Sequence, residues 1–430
     1  MFKIRSFFRN LRSKISNIIF KFYRSTFKAT GKVLILFTLI TIIILGGLLI
    51  KYFTDDTWKY FLGTLAGLVS TILIGSLAHL IALGFEDRNK VNKDYKELTE
   101  KYKYKEKKSI INNKEVVTNS DDNYEQEVTF FDNSKVKFLY KSNFARADKI
   151  VIKDSNKKMY VPTDVMSSNY VTLFKAHRGS YKENGFTVRT DDFNFDYDNN
   201  ILNINTSRST YFNHLISNRV LDYPFEKSLT LRKIYEPGPV LTPLKNSVFS
   251  NHLGIIGIMK TKDDYYIINQ RSKSGSTSKK LMVSPVAFGL SATIKETVDE
   301  SYILKTMIEK INLRTDVEKL DDDKYIDQII NVGYGRDIYE GGKPHLFYLI
   351  KLNINKDEYL KLFKNNKCPK KMIDYDKRTF AIKPSEIKYK NNFFHITHHD
   401  EKGKTKKYLL DAEINLIMNI KCLMEHEMFK

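Results

Sequence analysis

Residues 250–271 read SNHLGIIGIMKTKDDYYIINQR, and this stretch decides how the C-terminal half of the chain folds. Two short runs of β-branched and aromatic residues stand on either side of a polar turn at 260–264. Apolar runs separated by such a turn predict a strand, a turn and a second strand. The second predicted strand ends in Gln270-Arg271.

The segments that follow this hairpin are a loop at 272–280, an apolar stretch at 281–289 and a predicted helix at 293–311. A further strand is predicted after the turn Gly341-Gly-Lys-Pro344. This order of elements resembles the Nudix fold, with coverage of about residues 245–355. The resemblance implies an α+β domain with a mixed sheet and a shape suited to nucleotides.

The Nudix box, which binds metal in that family, is degenerate in this chain. Its glycine and its four glutamate positions align with Ser291, Thr297, Thr306, Glu309 and Lys310. Glu309 alone keeps a carboxylate there, whereas Mg²⁺ requires several oxygen ligands. Glu296 and Glu300 join Glu309 as possible catalytic groups only if the alignment shifts by one residue. Enzyme activity is therefore an open question that leans toward none, and no metal or cofactor is predicted.

The preceding part of the chain, residues 124–240, is predicted to be a β-rich module. Its apolar residues alternate with polar ones, which is typical of half-buried strands. The predicted strands are 135–140, 149–153, 158–161, 186–188, 193–197 and 201–204. The turn Glu236-Pro-Gly-Pro239 closes this module, and residues 241–430 form the predicted Nudix-like domain.

Two long apolar runs without formal charge, 33–50 and 60–85, precede these domains. A helix rises about 1.5 Å per residue, so each run is long enough to cross a bilayer. They predict a transmembrane hairpin over residues 33–85. Gly63, Gly67 and Ser70 are small residues that would let the two helices pack closely, although glycine is also common in membrane helices.

The net charge of +21 is distributed unevenly. Residues 1–32 carry nine Lys or Arg and no Asp or Glu, in the pattern of a basic amphipathic helix that lies on the inner leaflet. The loop 51–59 is neutral, and the charged linker or stalk at 86–123 is again rich in lysine. Basic flanks on both sides of the hairpin predict that both termini are cytoplasmic. The basic excess of the soluble part is equally explained by ligand chemistry or by genomic base composition.

The two cysteines, Cys368 and Cys422, give no disulfide framework. Such sparse use of cysteine excludes a disulfide-stapled secreted domain and fits a reducing compartment.

A two-span hairpin joined to a degenerate Nudix-like domain is similar to the transmembrane Nudix effectors of bacterial CBASS antiphage systems. The resemblance implies a soluble domain that binds a cyclic oligonucleotide, not a nucleic-acid polymer. It further implies a homo-oligomer in the bacterial inner membrane, whose hairpins disrupt the bilayer and kill the cell. Two alternatives stay open: a membrane-anchored hydrolase of nucleotide diphosphates, and a structural anchor or scaffold.

Two stretches combine cationic and hydroxyl groups that suit phosphodiester oxygens. The first is the loop after the opening hairpin, whose candidate residues are Arg271, Lys273, Ser276, Thr277 and Lys279. It is equally explained as a solvated loop. The second spans residues 206–212, where Arg208 and Ser209 suit a phosphate and Tyr211 suits a base. Its alternative explanation is a helix cap followed by core aromatic residues.

The remaining polar groups are not expected to bind a ligand or a metal. Arg219, Arg232 and Arg336 are expected to form surface ion pairs. His395, His398, His399 and Asp400 resemble a metal cluster, but they lack helical spacing and are expected not to bind metal. Residues 411–427 predict a C-terminal helix that packs on the core.

Overall fold

The computed structural model describes residues 94–102, 107–111, 114–118, 124–130, 133–143, 147–177, 184–226, 228–271, 281–315, 325–364, 375–390, 393–399, 405–410 and 412–428. They belong to one compact unit, Arg88–Lys430. The predicted amphipathic segment and transmembrane hairpin lie outside the described residues. Among the described helices, none combines the length and the apolar character needed to cross a bilayer.

The described helices and strands are numbered separately in chain order. The helices are α1 Tyr95–Lys101, α2 Asp164–Ser168, α3 Tyr170–Lys175, α4 Tyr211–Leu215, α5 Leu231–Tyr235, α6 Glu300–Thr315, α7 Lys356–Lys364 and α8 Ile414–Met428. The strands are β1 Lys107–Ile111, β2 Lys114–Thr118, β3 Glu125–Thr129, β4 Lys135–Asn143, β5 Lys149–Met159, β6 Phe186–Asp196, β7 Ile201–Thr210, β8 Gly254–Lys260, β9 Tyr266–Arg271, β10 Met282–Val283, β11 Val286–Gly289, β12 Ile326–Asp337, β13 Lys343–Leu352, β14 Tyr375–Ile382, β15 Ile387–Lys390, β16 Phe393–His399 and β17 Thr405–Leu410.

A central mixed sheet has the strand order β10-β9-β8-β13-β12-β4-β3, with β11 paired to β8 and β14 paired to β9. Strands β8 and β13 are parallel, and the other pairs are antiparallel. The hairpin predicted at 250–271 is thus confirmed as β8 and β9 in the middle of this sheet. The α+β class with mixed sheets is confirmed as well.

Successive side chains of β8 point to opposite faces, so the central sheet separates two apolar layers. Ile256 and Ile258 belong to one buried cluster, which α8 covers through residues such as Leu416. Ile255 and Met259 belong to the other cluster, together with residues of α6 and α7. The predicted C-terminal helix is therefore confirmed as a core element.

A smaller sheet with the order β5-β7-β6 packs on the same side as α6. Its hairpin β6–β7 turns at 197–200, as the alternation of apolar residues predicts. The strand predicted separately at 158–161 is instead the end of β5, which runs to Met159. Strands β1 and β2 pair with each other, and β15, β16 and β17 form a further sheet.

Strands from both sides of residue 240 share the central sheet, since β3 and β4 pair there with β12. The domain boundary predicted at 240 thus falls between strands of one sheet. In the linker, α1 ends at Lys101 and β1 begins at Lys107. The stalk is therefore only partly helical.

The helix expected at 293–311 begins later, at Glu300. The reason is tertiary, because side chains from distant strands bind the main chain before the helix. Arg208 binds the carbonyl oxygens of Thr293 and Glu296, and Asp154 accepts from the Val298 N–H at 2.7 Å. These bonds hold residues 293–298 in a turn.

Candidate functional site

Arg208, a predicted phosphate ligand, lies on β7 with its side chain fully buried. Its Nη1 and Nη2 donate to the two carboxylate oxygens of Asp154, each at 2.7 Å. Its remaining N–H groups go to the carbonyl oxygens of Thr293, Ser207 and Glu296. A guanidinium has five N–H donors, and all five are used here. Arg208 thus joins the small sheet to the segment before α6 and has no donor left for a phosphate.

The surroundings of Asp154, the partner of Arg208, favour its ionised form. Burial alone would raise the pKa of Asp154, but hydrogen bonds from Arg208, the Val298 N–H and the Thr206 hydroxyl hold the pKa below its ordinary value. The pair is therefore a charged, buried contact between three segments.

Tyr211 lies at the start of α4, where the helix-cap alternative is confirmed. The Thr210 hydroxyl accepts from the Asn213 N–H at 3.3 Å, and Phe212 is buried. The Tyr211 side chain itself is half-buried, and its ring centroid lies 6.4 Å from that of His214. Tyr211 is therefore partly exposed and contacts His214.

Ser209, the neighbouring candidate, is buried at the end of β7. Its Oγ lies 2.7 Å from the Oγ of Ser250, which precedes β8. The contact ties the small sheet to the end of the central sheet where β8 begins.

The basic loop is described only at its ends. Arg271 closes β9, is half-buried, and donates its main-chain N–H to the Leu281 carbonyl at 2.9 Å. The other candidates lie outside the described residues: Lys273, Ser276, Thr277 and Lys279. The packing candidates of the hairpin, Gly63, Gly67 and Ser70, lie outside them too.

The three carboxylates near the Nudix-box position do not converge. Glu296 Oε2 accepts from the Thr293 N–H at 2.6 Å, and Glu300 Oε2 accepts from the Ile150 N–H at 3.3 Å. Glu309 is exposed on α6. Across the described part of the chain, no three His, Cys, Asp or Glu side chains are grouped so that they could hold a metal ion.

The remaining polar candidates fall into two groups. The Nε2 of His395 donates to the Lys390 carbonyl at 3.1 Å, and Cys422 is buried. The side chains of His398, His399, Asp400 and Cys368 lie outside the described residues.

The single arginines Arg219, Arg232 and Arg336 are not on the surface, which corrects the prediction of surface pairs. All three are buried. Arg219 pairs with Glu340 and Arg232 with Asp222, while Arg336 donates to carbonyl oxygens.

A polar cluster that the sequence did not single out lies at one end of the central sheet, where β8 and β13 begin and β11 ends. We call it the histidine cluster. Its members are His214, Arg219, His252, Glu340, Lys343 and His345. Tyr211 borders it through His214.

Two glycines make room for two of its imidazoles. A Cβ at Gly254 would overlap the His345 ring, and a Cβ at Gly289 would overlap the His252 ring. His252 also lies edge-on to His214, with ring centroids 5.4 Å apart. The strand ends are thus shaped around the histidine rings.

Several nitrogens of the cluster have no hydrogen-bond partner among the described residues. They are both ring nitrogens of His345 and the Nδ1 of His214, and both side chains are almost fully buried. His252, in contrast, contacts the Leu290 carbonyl at 3.0 Å. An unpartnered buried polar atom costs about 1–3 kcal/mol. These two rings therefore keep hydrogen-bonding capacity that no described residue uses.

A single carboxylate forms ion pairs with both cations of the cluster. Glu340 pairs with Arg219 and, at 3.0 Å, with the Lys343 ammonium. Burial alone would raise the pKa of Glu340, but these two cations keep it well below its ordinary value. The cluster therefore carries one excess positive charge while its histidines are neutral.

The histidines are neutral because burial disfavours their charged form and Lys343 lies nearby. Together these effects lower the pKa of His252 to about 3 and move those of His214 and His345 well below the ordinary value. A neutral imidazole offers one donor and one acceptor. Each neutral ring of the cluster thus presents one donor and one acceptor.

Sequence reasoning missed this cluster although both of its strand-end histidines lie in quoted stretches. His252 stands two residues before Gly254, and His345 follows Gly341-Gly-Lys-Pro344. Histidine beside glycine at the start of a predicted strand was the available signal. The pairing with Arg219 and His214 depends on contacts distant in sequence.

The comparisons with known proteins add no family. No protein-family model matches the sequence, and no curated protein matches it.

Proposed function

We propose that this protein is a membrane effector whose soluble unit binds a cyclic oligonucleotide. Binding drives the predicted hairpins, residues 33–85, to assemble as a homo-oligomer and to disrupt the bacterial inner membrane. The proposal combines the charge-poor hairpin of the sequence with the soluble unit described above. It follows the resemblance to transmembrane Nudix effectors of antiphage defence.

The observation that carries the proposal is the histidine cluster. It places the cations Arg219 and Lys343 beside imidazoles with unpartnered nitrogens, and the half-buried ring of Tyr211 lies at its border. Cations and neutral donors suit phosphodiester oxygens, and an aromatic ring suits a base. Cations, neutral donors and an aromatic ring together suit the binding of a nucleotide.

The arrangement near α6 favours a sensor over a hydrolase. The carboxylates of Glu296 and Glu300 accept main-chain hydrogen bonds, so they already serve the local fold. Glu309 stands by itself on the exposed face. The mixed sheet followed by α6 supports a Nudix-like shape used for binding.

A binding screen tests the proposal directly. The purified full chain, held in detergent, is titrated with a panel of cyclic dinucleotides and cyclic trinucleotides. We expect at least one member to bind, and Lys343→Met to weaken its binding roughly 10- to 150-fold, as the loss of a charged hydrogen bond of about 1.5–3 kcal/mol implies. Lys158→Met, which removes an exposed lysine outside the cluster, is the matched control.

His345→Leu separates binding from folding. It removes two unpartnered nitrogens, so we expect the melting temperature to be unchanged or higher while ligand binding weakens. If no cyclic nucleotide binds, or if Lys343→Met and His345→Leu bind as well as the unmodified protein, the proposal is wrong.

The membrane step is tested in cells that also make the cyclic nucleotide found in the screen. Removal of residues 33–85 should abolish toxicity, because the hairpin is the proposed working part. Glu309→Gln should leave toxicity intact. Toxicity that persists without the hairpin, or phosphate release that Glu309→Gln abolishes, contradicts the proposal.

A further inference from the structure

Helix α1 connects the sensor to the predicted membrane spans and is docked on the soluble unit. Residues 86–94 alone separate the second predicted span from its first residue, Tyr95. Leu98 and Tyr102 are fully or almost fully buried, and they pack in one apolar cluster with Ile338 and Tyr339. The first half of the linker is therefore packed on the sensor through α1.

The chain passes very close to itself at this contact. Gly238 has a φ of +81°, and a Cβ there would overlap the Lys101 carbonyl. A glycine is required at this point, because any side chain would push α1 away. The turn at 236–239 thus contacts the end of α1 directly.

Arg232 ties α1 to the turn Ile338–Glu340. Its Nη1 donates to the Tyr102 hydroxyl at 3.2 Å and to the Ile338 carbonyl at 3.1 Å. Its Nη2 donates to the Tyr339 carbonyl at 3.0 Å, and Asp222 takes the remaining donors. All of its N–H groups are used, so the contact has a fixed geometry.

The same turn reaches into the histidine cluster. Glu340, its last residue, pairs with Arg219 and Lys343, and its carbonyl accepts from Asn218 Nδ2 at 2.9 Å. Three consecutive residues thus contact α1 on one side and the candidate ligand site on the other. Glu340 directly follows Ile338 and Tyr339, so a movement of its main chain would be passed to both.

We propose that the turn Ile338–Glu340 is the output contact of the sensor, which passes the state of the histidine cluster to α1 and so to the membrane segment. The proposal rests on the proposed function for the ligand. An anionic ligand that binds Lys343 or Arg219 competes with the Glu340 carboxylate for the same cations. Released from one of them, Glu340 moves, and the docking of α1 changes.

Hydrogen exchange in the full chain tests the contact without any ligand. Glu340→Gln removes the charge at one end, and we expect amides 96–102 of α1 to exchange roughly two- to thirtyfold faster, the range of measured couplings between sites. Glu127→Gln, which alters an exposed pair with Lys135, should leave them unchanged.

The reverse experiment uses the opposite end, because coupling between two sites is reciprocal. Tyr102→Phe keeps the ring and removes only the hydroxyl between Arg232 and the Glu236 carbonyl. We expect faster exchange at the amides of residues 343 and 345–347. This conservative variant decides the question if Glu340→Gln fails to fold.

An exchange experiment with added ligand distinguishes this proposal from the proposed function. Adding the cyclic nucleotide found in the screen should change exchange at amides 96–102. Binding without that change overturns the output contact and leaves the function standing. Absence of binding overturns the function, whereas the two variants still decide the contact. If neither variant alters hydrogen exchange at the opposite end, the turn Ile338–Glu340 does not couple the histidine cluster to α1.

Discussion

Arg208 shows at the scale of a residue how a predicted ligand contact becomes a structural one. Replacing it with Met leaves Asp154 charged, buried and unpaired, so Arg208→Met should lower the free energy of unfolding by about 3–5 kcal/mol. Thermal and urea unfolding of the purified full chain, followed by near-ultraviolet circular dichroism, measure the loss.

The matched control is Lys158→Met. Lys158 pairs with Asp191 at 2.8 Å, but its side chain is 62 % exposed. Exposed ion pairs contribute about 1 kcal/mol or less, so the melting temperature should hardly change. Equal losses in the two variants would contradict the structural role of Arg208.

Gly254 is the second residue-scale case, since a side chain there has no space. A Cβ at Gly254 would overlap the His345 ring. Gly254→Ala should therefore lower the free energy of unfolding by about 1–3 kcal/mol, the usual cost of overpacking. It should also weaken nucleotide binding because it displaces His345.

Gly185 supplies the control for that substitution. A Cβ at Gly185 meets nothing within 4 Å. Gly185→Ala should leave both the unfolding free energy and nucleotide binding unchanged or slightly improve stability. A Gly254→Ala protein as stable as Gly185→Ala would show that the ring lies elsewhere.

At the scale of an element, the start of α6 depends on a single cap. Asp299 Oδ1 accepts from the Tyr302 N–H at 2.8 Å and from the Ser301 hydroxyl at 2.8 Å. Asp299→Ala should destabilise the first turn by about 1 kcal/mol, the usual value of a helix N-cap. Hydrogen exchange at amides 301–303 reports the loss.

Asn is as good a cap as Asp, so Asp299→Asn should keep the slow exchange of α6. If both variants exchange like the unmodified protein, the helix start is held by the Arg208 contacts rather than by the cap.

The elements as a group were largely predictable. The β8–β9 and β6–β7 hairpins and α8 follow from apolar periodicity, because each buries one face along its own length. The start of α6 did not follow, since Arg208 reaches residues 293–298 from a strand about ninety residues earlier. Local propensity carries no information about such a partner.

At the scale of the whole molecule, buried neutral histidines make stability depend on pH. Burial lowers the pKa of His177 and of His252 to about 3, and those of His214 and His345 lie well below the ordinary value. Below pH 6.5 the unfolded chain binds protons that the folded chain does not. Stability is therefore full above that pH and is lost as the pH falls toward the folded values.

When the pH falls from 7 to 5, each of these buried histidines should lower the free energy of unfolding by about 2 kcal/mol. Asp337 has the opposite sign, because burial and the nearby Glu340 raise its pKa, so it offsets about one histidine. We expect a clear fall in melting temperature over this range, and a smaller fall in His345→Leu. A melting temperature that is equal at both pH values contradicts the buried, neutral assignment.

The candidate site was less predictable than the fold. Ser209 and Tyr211 were identified from their residue types, and the structure places Tyr211 beside His214 and Ser209 against Ser250. Arg219, Glu340 and His345 were not identified as a site. Arg219 lies 121 residues before Glu340 in the sequence, and only the tertiary fold brings it beside Glu340 and His345.

The amino-acid sequence by itself determined which stretches are strands and helices and which of their faces are buried. It also marked residues 33–85 as the stretch suited to a membrane. The reason is that periodicity and apolar length are local properties. Only the tertiary structure decided which polar side chains find partners within the chain and which keep unpartnered nitrogens. That choice depends on burial and on distances between segments far apart in sequence, which fixed Arg208 as a packing residue and His345 as a ligand candidate.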